Sequence, residues 1–285
     1  MGLLKSLRKR VISLSLTILS RHVRNLTIRP VSIDEHGVWF KTKYGFSVYS
    51  NLKDRILKLD VNPEWEEMES SFILHNLKDG DVFIDVGANI GYFSMLAAGQ
   101  KAALVLAIEP IPTTYEILDM NIKYNRLTEA IQPLNIALGS RSHTAKFTYA
   151  LGPKNHAEYQ VNNIHSNLPT IDVTVVTLDS LLRSRNKINK VDFIKVDIEG
   201  CEYDFLLGAK KSIETFKPMI MMEIEEPRLA KYNATAQEVF AFMDSLGYKY
   251  LSVGKDSIRE GTTYTEDLKK GRNFIFYTNR HGPTY

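Results

Sequence analysis

Residues 81–94 read DVFIDVGANIGYFS, and this stretch decides the fold. Positions 82–86 are a short apolar run, Gly87 and Gly91 follow at once, and helical spacing of apolar residues resumes after them. Strand, glycine turn and helix in that order open a βαβ unit. Glycines at such a turn let the backbone bend tightly and approach a ligand, and the helix N-terminus favours negative charge. A dinucleotide fingerprint would need glycine at 89 and 92, where this chain has Asn89 and Tyr92. A pyrophosphate needs those glycines. A smaller ligand with a carboxylate and an amine does not.

Asp85 stands just before the glycine turn, where a carboxylate repels phosphate but suits an ammonium or a sulfonium. Glu109 ends the next apolar run, 103–108, where an acid can accept hydrogen bonds from both hydroxyls of a ribose. Together they describe a pocket for a nucleoside joined to an amino acid, namely S-adenosyl-L-methionine. Further strands are predicted at 131–136, 191–197, 218–224, 248–253 and 273–278, with helices at about 91–99, 113–125, 201–215 and 235–246. Apolar strands alternating with helices make an α/β fold, a mostly parallel sheet with helices on both faces. The last two strands lack a long helix between them, so one of the two is expected to run antiparallel.

Residues 140–172 break this rhythm and end in the alternating run IDVTVVTL at 171–178. They read either as a small β excursion shaping a substrate mouth or as a solvated insertion. Asp197, Glu199 and Glu202 crowd the end of the fourth strand and the first turn of the next helix, beside the crevice of an open α/β sheet. Three carboxylates so close raise one another's pKa, share protons or meet a cation. They are candidates for a general base toward an acceptor hydroxyl, for ligands of a divalent metal, or for counter-charges to a bound cation. An ordinary helix-dipole role is the bland alternative, above all for Glu202. Lys195, the odd polar residue in an apolar strand, calls for a partner, and Glu223 on the next strand is the candidate. Cys201 reads as a packed small residue, and His165 as a solvated loop histidine or a base.

The 285-residue chain is 44% hydrophobic and 24% charged, which excludes wholesale disorder. One cysteine excludes an internal disulfide and a cysteine-ligated zinc site. Residues 1–33 hold Lys5, Arg8, Lys9, Arg10, Arg21, Arg24 and Arg29 without an acid, while the remainder is slightly acidic. No footprint for nucleic acid follows from that body. Within residues 1–26, Leu3, Leu7, Val11, Leu14 and Ile18 recur at helical spacing between basic flanks. That pattern reads as a basic amphipathic helix on an anionic membrane, as a transit peptide, or as a helix packing on the domain or on a second subunit. Gly2 with Ser6 also matches a myristoylation pattern. Residues 34–80 form a small extension, with a hairpin turning near Lys43–Gly45 and a helix over 64–77.

The segments DVFIDVGANIGYFSMLA (81–97), AIEPIPTTYEILDMNIKYN (107–125), NIALG (135–139), VTVVTLDSLL (173–182) and VDFIKVDIEGCEYDFLLGA (191–209) resemble the FkbM family of S-adenosylmethionine-dependent methyltransferases. The resemblance runs in order from about Asp81 to Glu223. It implies a Rossmann-like class I methyltransferase fold, a seven-stranded sheet whose final strand is antiparallel, carried by residues 81–285 behind the N-terminal helical and hairpin extension. It also implies O-methylation of a sugar or glycan hydroxyl or of a secondary metabolite. Gly87, Asn89 and Gly91 would line the methionine end of the cofactor, Glu109 the ribose, and Asn135 and Ala137 the adenine. Asp197 would face the methionine amine or the acceptor.

The resulting expectation is a cytoplasmic methyltransferase using S-adenosyl-L-methionine, with Asp197, Glu199 and Glu202 as catalytic candidates and no dedicated metal ligands, a divalent metal remaining a possible helper. Its partner would be a small-molecule or glycan acceptor rather than nucleic acid, with peripheral contact to an anionic membrane through residues 1–26. A binding module of the same fold without turnover is the alternative, and a nicotinamide oxidoreductase is disfavoured by Asp85, Asn89 and Tyr92.

Overall fold

A computed structural model describes residues 30–33, 37–51, 66–100, 102, 104–148, 160–161, 170–254, 256–280 and 282–284. Residues 1–26 and His165 lie outside the described residues, and with them the readings made of both. The chain divides into two compact units, with the boundary between Glu67 and Met68 and with residues 153–156 assigned to the first.

In the first unit, strands β1 (Pro30–Ile33), β2 (Gly37–Lys41) and β3 (Ser47–Asn51) form an antiparallel sheet in that order. The turn between β2 and β3 falls where the sequence puts it. Thr42 N donates to Phe46 O at 2.8 Å, and Gly45 takes φ +95°, which only glycine adopts without strain. Trp39 sits opposite Tyr49 across the two strands with ring centroids 5.3 Å apart, the kind of pair that holds a hairpin in register.

The second unit follows from alternating apolar runs. After α1 (Glu67–Asn76) come β4 (Val82–Val86), α2 (Tyr92–Gln100), β5 (Leu104–Ile108), α3 (Pro112–Tyr124) and β6 (Ile131–Leu134). An excursion follows: β7 (Ala137–Leu138), β8 (His143–Thr148), β9 (Gln160–Val161) and β10 (Thr170–Val176). The chain then continues through α4 (Leu178–Arg183), β11 (Phe193–Val196), α5 (Glu202–Phe216), β12 (Met219–Glu223), α6 (Glu226–Leu229), α7 (Ala236–Ser245), β13 (Lys249–Val253), β14 (Ile258–Glu260), α8 (Tyr264–Asp267) and β15 (Asn273–Tyr277).

The main sheet has the order β14-β13-β15-β12-β11-β4-β5-β6. Strands β6, β5, β4, β11 and β12 are mutually parallel, while β15 pairs antiparallel with both β12 and β13. Every residue of β4 and β11 is buried, as central strands covered on both faces require. Seven strands match the Rossmann-like expectation. The eighth, β14, folds back on β13 through a turn closed by Gly254 N to Ser257 O, and it extends the edge of the sheet.

The described residues of the 140–172 interval include strands β8, β9 and the start of β10, which join β7 in a separate sheet of order β7-β10-β8-β9, with Ala145, Phe147, Val173 and Val175 packed around Ile111. The chain departs one way from β4 to β5 and β6 and returns on the other side of β4 at β11. That reversal is the topological switch point, and the loops after β4 and β11 meet beside it.

Candidate active site

The turn after β4 is tied to the end of β5 by its own backbone. Gly87 N and Ala88 N both donate to Ile108 O, at 3.0 and 2.9 Å, and Gly91 N closes on Ala88 O at 2.8 Å. Gly87 and Gly91 have φ of +82° and +92°, and Asn89 sits at +51°, a left-handed conformation that asparagine tolerates better than most residues. From α3, the fully buried Asn121 donates Nδ2 to Ile90 O at 2.8 Å and braces the turn from behind. Nothing in the local sequence marks Asn121 for that task.

Glu109 closes the knot. Its Oε2 accepts from Asn89 N and its Oε1 from Ile111 N, both at 2.9 Å. Burial pushes its carboxyl up to about 7 against the pull of those two N–H donors. Asn135 reaches the same place, with Nδ2 donating to the carbonyls of Glu109 (2.9 Å) and Pro110 (3.0 Å). Asn89, Glu109 and Asn135 are thus brought together. Ala137 opens β7 and pairs with Val175 in the excursion sheet.

The two glycines also serve packing between protein segments. A Cβ on Gly87 would stand 1.9 Å from the backbone oxygen of Asp197, and one on Gly91 would stand 2.5 Å from Leu118 Cδ1. Gly87 therefore lets the turn after β4 lie directly against the end of β11, where Asp197 N donates to Val86 O at 3.0 Å. Asp85 lies fully buried in β4. Its Oδ2 accepts from Ser94 Oγ at 2.6 Å, and its Oδ1 is buried with no hydrogen-bond partner among the described residues. Burial raises the pKa of Asp85, with the Lys195 ammonium opposing.

The acidic cluster divides into different roles. Lys195 Nζ donates to Asp197 Oδ2 at 3.2 Å and lies 4.6 Å from the centre of the Phe93 ring. Glu223, the partner expected for that lysine, receives Arg228 Nη1 at 2.8 Å. Burial works against ionisation of Asp197, but the Lys195 ammonium at its side and the Arg228 charge hold its carboxyl below the usual range. Glu199 adopts φ +59° and is held there by Arg228 Nη1 at 2.5 Å. Glu202 turns inward: its Oε1 accepts from Ile198 N at 3.2 Å and Gly200 N at 3.1 Å, and burial pushes its carboxyl up to about 7. Asp197 and Glu199 share the Arg228 surroundings, whereas Glu202 ties down its own loop. Cys201 has its thiol pushed up to about 12 by burial and stays protonated at neutral pH. Among the described residues, no group of three or more His, Cys, Asp or Glu side chains stands where it could hold a metal ion. None of the described helices is long and apolar enough to cross a membrane.

With this geometry in view, comparison with known proteins is direct. The model of the methyltransferase FkbM domain matches residues 85–250, more than half of the chain. The chain belongs to the FkbM methyltransferase family. This FkbM methyltransferase is 25% identical over 201 residues to methyltransferase sdnD of Sordaria araneosa, covering 60% of this chain and 78% of that protein. It is 28% identical over 151 residues to the hexuronic acid methyltransferase AglP of Haloferax volcanii, covering 52% of this chain and 58% of that one. Among solved structures, a methyltransferase FkbM from Methylobacillus flagellatus superposes with TM-score 0.45 at 19% identity, over 70% of this chain and 44% of that chain.

Proposed function

We propose that this FkbM methyltransferase moves a methyl group from S-adenosyl-L-methionine to a hydroxyl of a sugar or a related small metabolite. The observation that carries the proposal is the knot of Asn89, Glu109 and Ile111 at the N-terminus of α2, with the Asp197 backbone packed against Gly87. The residues present suit the cofactor. Glu109 offers carboxylate oxygens to a pair of ribose hydroxyls, and the buried Oδ1 of Asp85, without a hydrogen-bond partner among the described residues, leaves an acceptor beneath the turn.

When bound, the cofactor supplies an electrophilic methyl group. Glu109, Asn135 and the backbone of 87–91 then orient, and Asp197, held ionised beside Lys195, accepts the proton of an acceptor hydroxyl. AglP is named for a hexuronic acid, which supports a sugar acid as the first acceptor to test. Residues 1–26 are proposed to rest on an anionic membrane surface.

Calorimetric titration with S-adenosylmethionine, S-adenosylhomocysteine and NAD tests the cofactor, and transfer of a labelled methyl group to uronic acids and their glycosides tests the acceptor. Binding of both adenosyl ligands with silence toward NAD is expected. Binding of NAD alone would overturn the reading, and adenosyl binding without transfer to any hydroxyl would reduce the protein to a binding module.

A further inference from the structure

The loops that follow β11 and β12 meet at one residue, Arg228 of α6. Its Nη1 lies 2.5 Å from Glu199 Oε2 and 2.8 Å from Glu223 Oε2, and its Nε lies 2.9 Å from Glu225 Oε2. The backbones touch as well. A Cβ on Gly200 would stand 2.4 Å from the Arg228 carbonyl oxygen, so the loop after β11 rests directly on α6. Arg272, just before β15, joins through its ion pair with Glu225, and Ile224 N donates to Arg272 O at 2.7 Å. The ends of three neighbouring strands are thereby tied into one network around the Arg228 guanidinium. A planar fork can face several carboxylates at fixed angles, which a single ammonium cannot.

The three acids on Arg228 are not equivalent. The Glu223 and Glu225 side chains are only 17% exposed and anchor Arg228 to the end of β12, whereas that of Glu199 is 45% exposed on the loop. Glu199 takes φ +59° and Gly200 follows at +112°. A left-handed glutamate persists only where its surroundings over-determine it. Here Arg228 grips the loop from one side. From the other, Glu202 Oε1 accepts from Ile198 N at 3.2 Å and Gly200 N at 3.1 Å. The loop starts at Asp197, whose backbone oxygen lies so near Gly87 that a Cβ there would stand 1.9 Å away. The path of 197–201 therefore sets where the Asp197 carboxylate stands relative to the glycine turn.

We propose that Arg228 is a positioning residue for methyl transfer: by gripping Glu199 it fixes the left-handed loop after β11 and so holds Asp197 in place beside the glycine turn. The inference rests on the reading of Asp197 as acceptor of the substrate proton. Glu199 is the handle of the loop and takes no proton. Displacement at a methyl group tolerates little misplacement of the attacking oxygen and its base, so a loosened loop lowers kcat while cofactor affinity stays.

Removing Arg228 would strand Glu223 and Glu225, so Arg228→Gln risks misfolding and the decisive variants alter Glu199. Glu199→Gln keeps an oxygen for Arg228. Glu199→Asn suits a left-handed backbone but is one methylene too short for the grip. In the full-length protein, amide hydrogen exchange at Ile198 and Gly200, calorimetry with S-adenosylmethionine, and labelled-methyl transfer to uronic acids and their glycosides are compared. Glu199→Asn is expected to speed exchange at both amides and to lower kcat by about tenfold or more, with cofactor affinity unchanged. Glu199→Gln should stay near the wild type, and Arg228→Lys should fall between. Wild-type exchange in Glu199→Asn, or faster exchange with an unchanged kcat, overturns the proposal. A kcat lost equally in Glu199→Gln with slow exchange overturns it too, because Glu199 would then act by its own charge. Transfer by the wild type beside an unaltered Glu199→Asn sinks only the grip of Arg228, whereas a wild type that methylates none of these hydroxyls sinks the proposed function and the positioning role with it.

Discussion

Glu109 is pulled in two directions: burial favours its proton, and two backbone N–H groups favour its charge. A ribose hydroxyl donates best to the ionised form. Affinity for S-adenosylhomocysteine should therefore climb as pH rises through about 7, and Glu109→Gln should flatten the climb in calorimetry. Glu109→Ala should weaken binding by about 1.5–3 kcal/mol, the usual cost of losing hydrogen bonds to a charged group. Unchanged affinity would refute the ribose assignment. Stability moves the other way. Glu109 and Glu202 both reach about 7 in the folded chain, above their ordinary value near 4.5, so the folded state binds more protons between those pH values. Stability from these two groups is complete below that ordinary value and is lost as pH rises toward 7. Glu202→Gln, whose amide oxygen can still accept from Ile198 N and Gly200 N, should reduce the fall of Tm across that window, and an unaltered slope would remove Glu202 from the account. The placement of Asp85, Gly87, Glu109 and Asp197 on the fold was legible in the sequence because each stands inside an apolar run or just after one. The brace from Asn121 to Ile90 was not, since it depends on how α3 packs behind the turn, which neither segment encodes alone.

At the scale of elements, the same glycine argument separates two residues twelve positions apart. Gly87 has φ +82°, and a Cβ there would collide with the Asp197 backbone oxygen, so Gly87→Ala should cost about 1–3 kcal/mol in backbone strain alone, before the collision is counted. Gly99 lies exposed near the end of α2 with nothing within 4 Å of its missing Cβ. Gly99→Ala should stabilise by up to about 1 kcal/mol. Urea unfolding of both variants checks the pair, and a Gly87→Ala protein as stable as the parent would contradict the close approach. The long strands and helices of the sheet follow from apolar runs and can be read within a residue or two. Short pieces such as β14, α6 and α8 carry three or four residues each, too few for a period to declare itself. They form because the sheet edge and neighbouring turns supply their partners.

For the molecule as a whole, charge is the feature that composition hides. A formal net charge of +3 combines a strongly basic stretch at residues 1–33 with a slightly acidic remainder. Deletion of residues 1–26 should abolish sedimentation with anionic liposomes and leave adenosyl-ligand affinity within error of the parent, whereas a full-length protein that never sediments would end the membrane proposal. The order of strands has a different consequence, for the chain during its synthesis. β15 separates β12 from β13, yet it is the last described strand to leave the ribosome. Until Asn273–Tyr277 emerges, β12 presents Met219–Glu223 as an open, apolar edge, and β13 has only the three residues of β14 to pair with. Such edges invite pairing with other chains. A nascent chain halted before Asn273 should associate with chaperones and aggregate on release, while one extended past Tyr277 should not; ribosome-bound chains stalled at the two lengths and probed with protease would distinguish them. The five residues that complete the sheet thus govern when this protein becomes safe from its own copies.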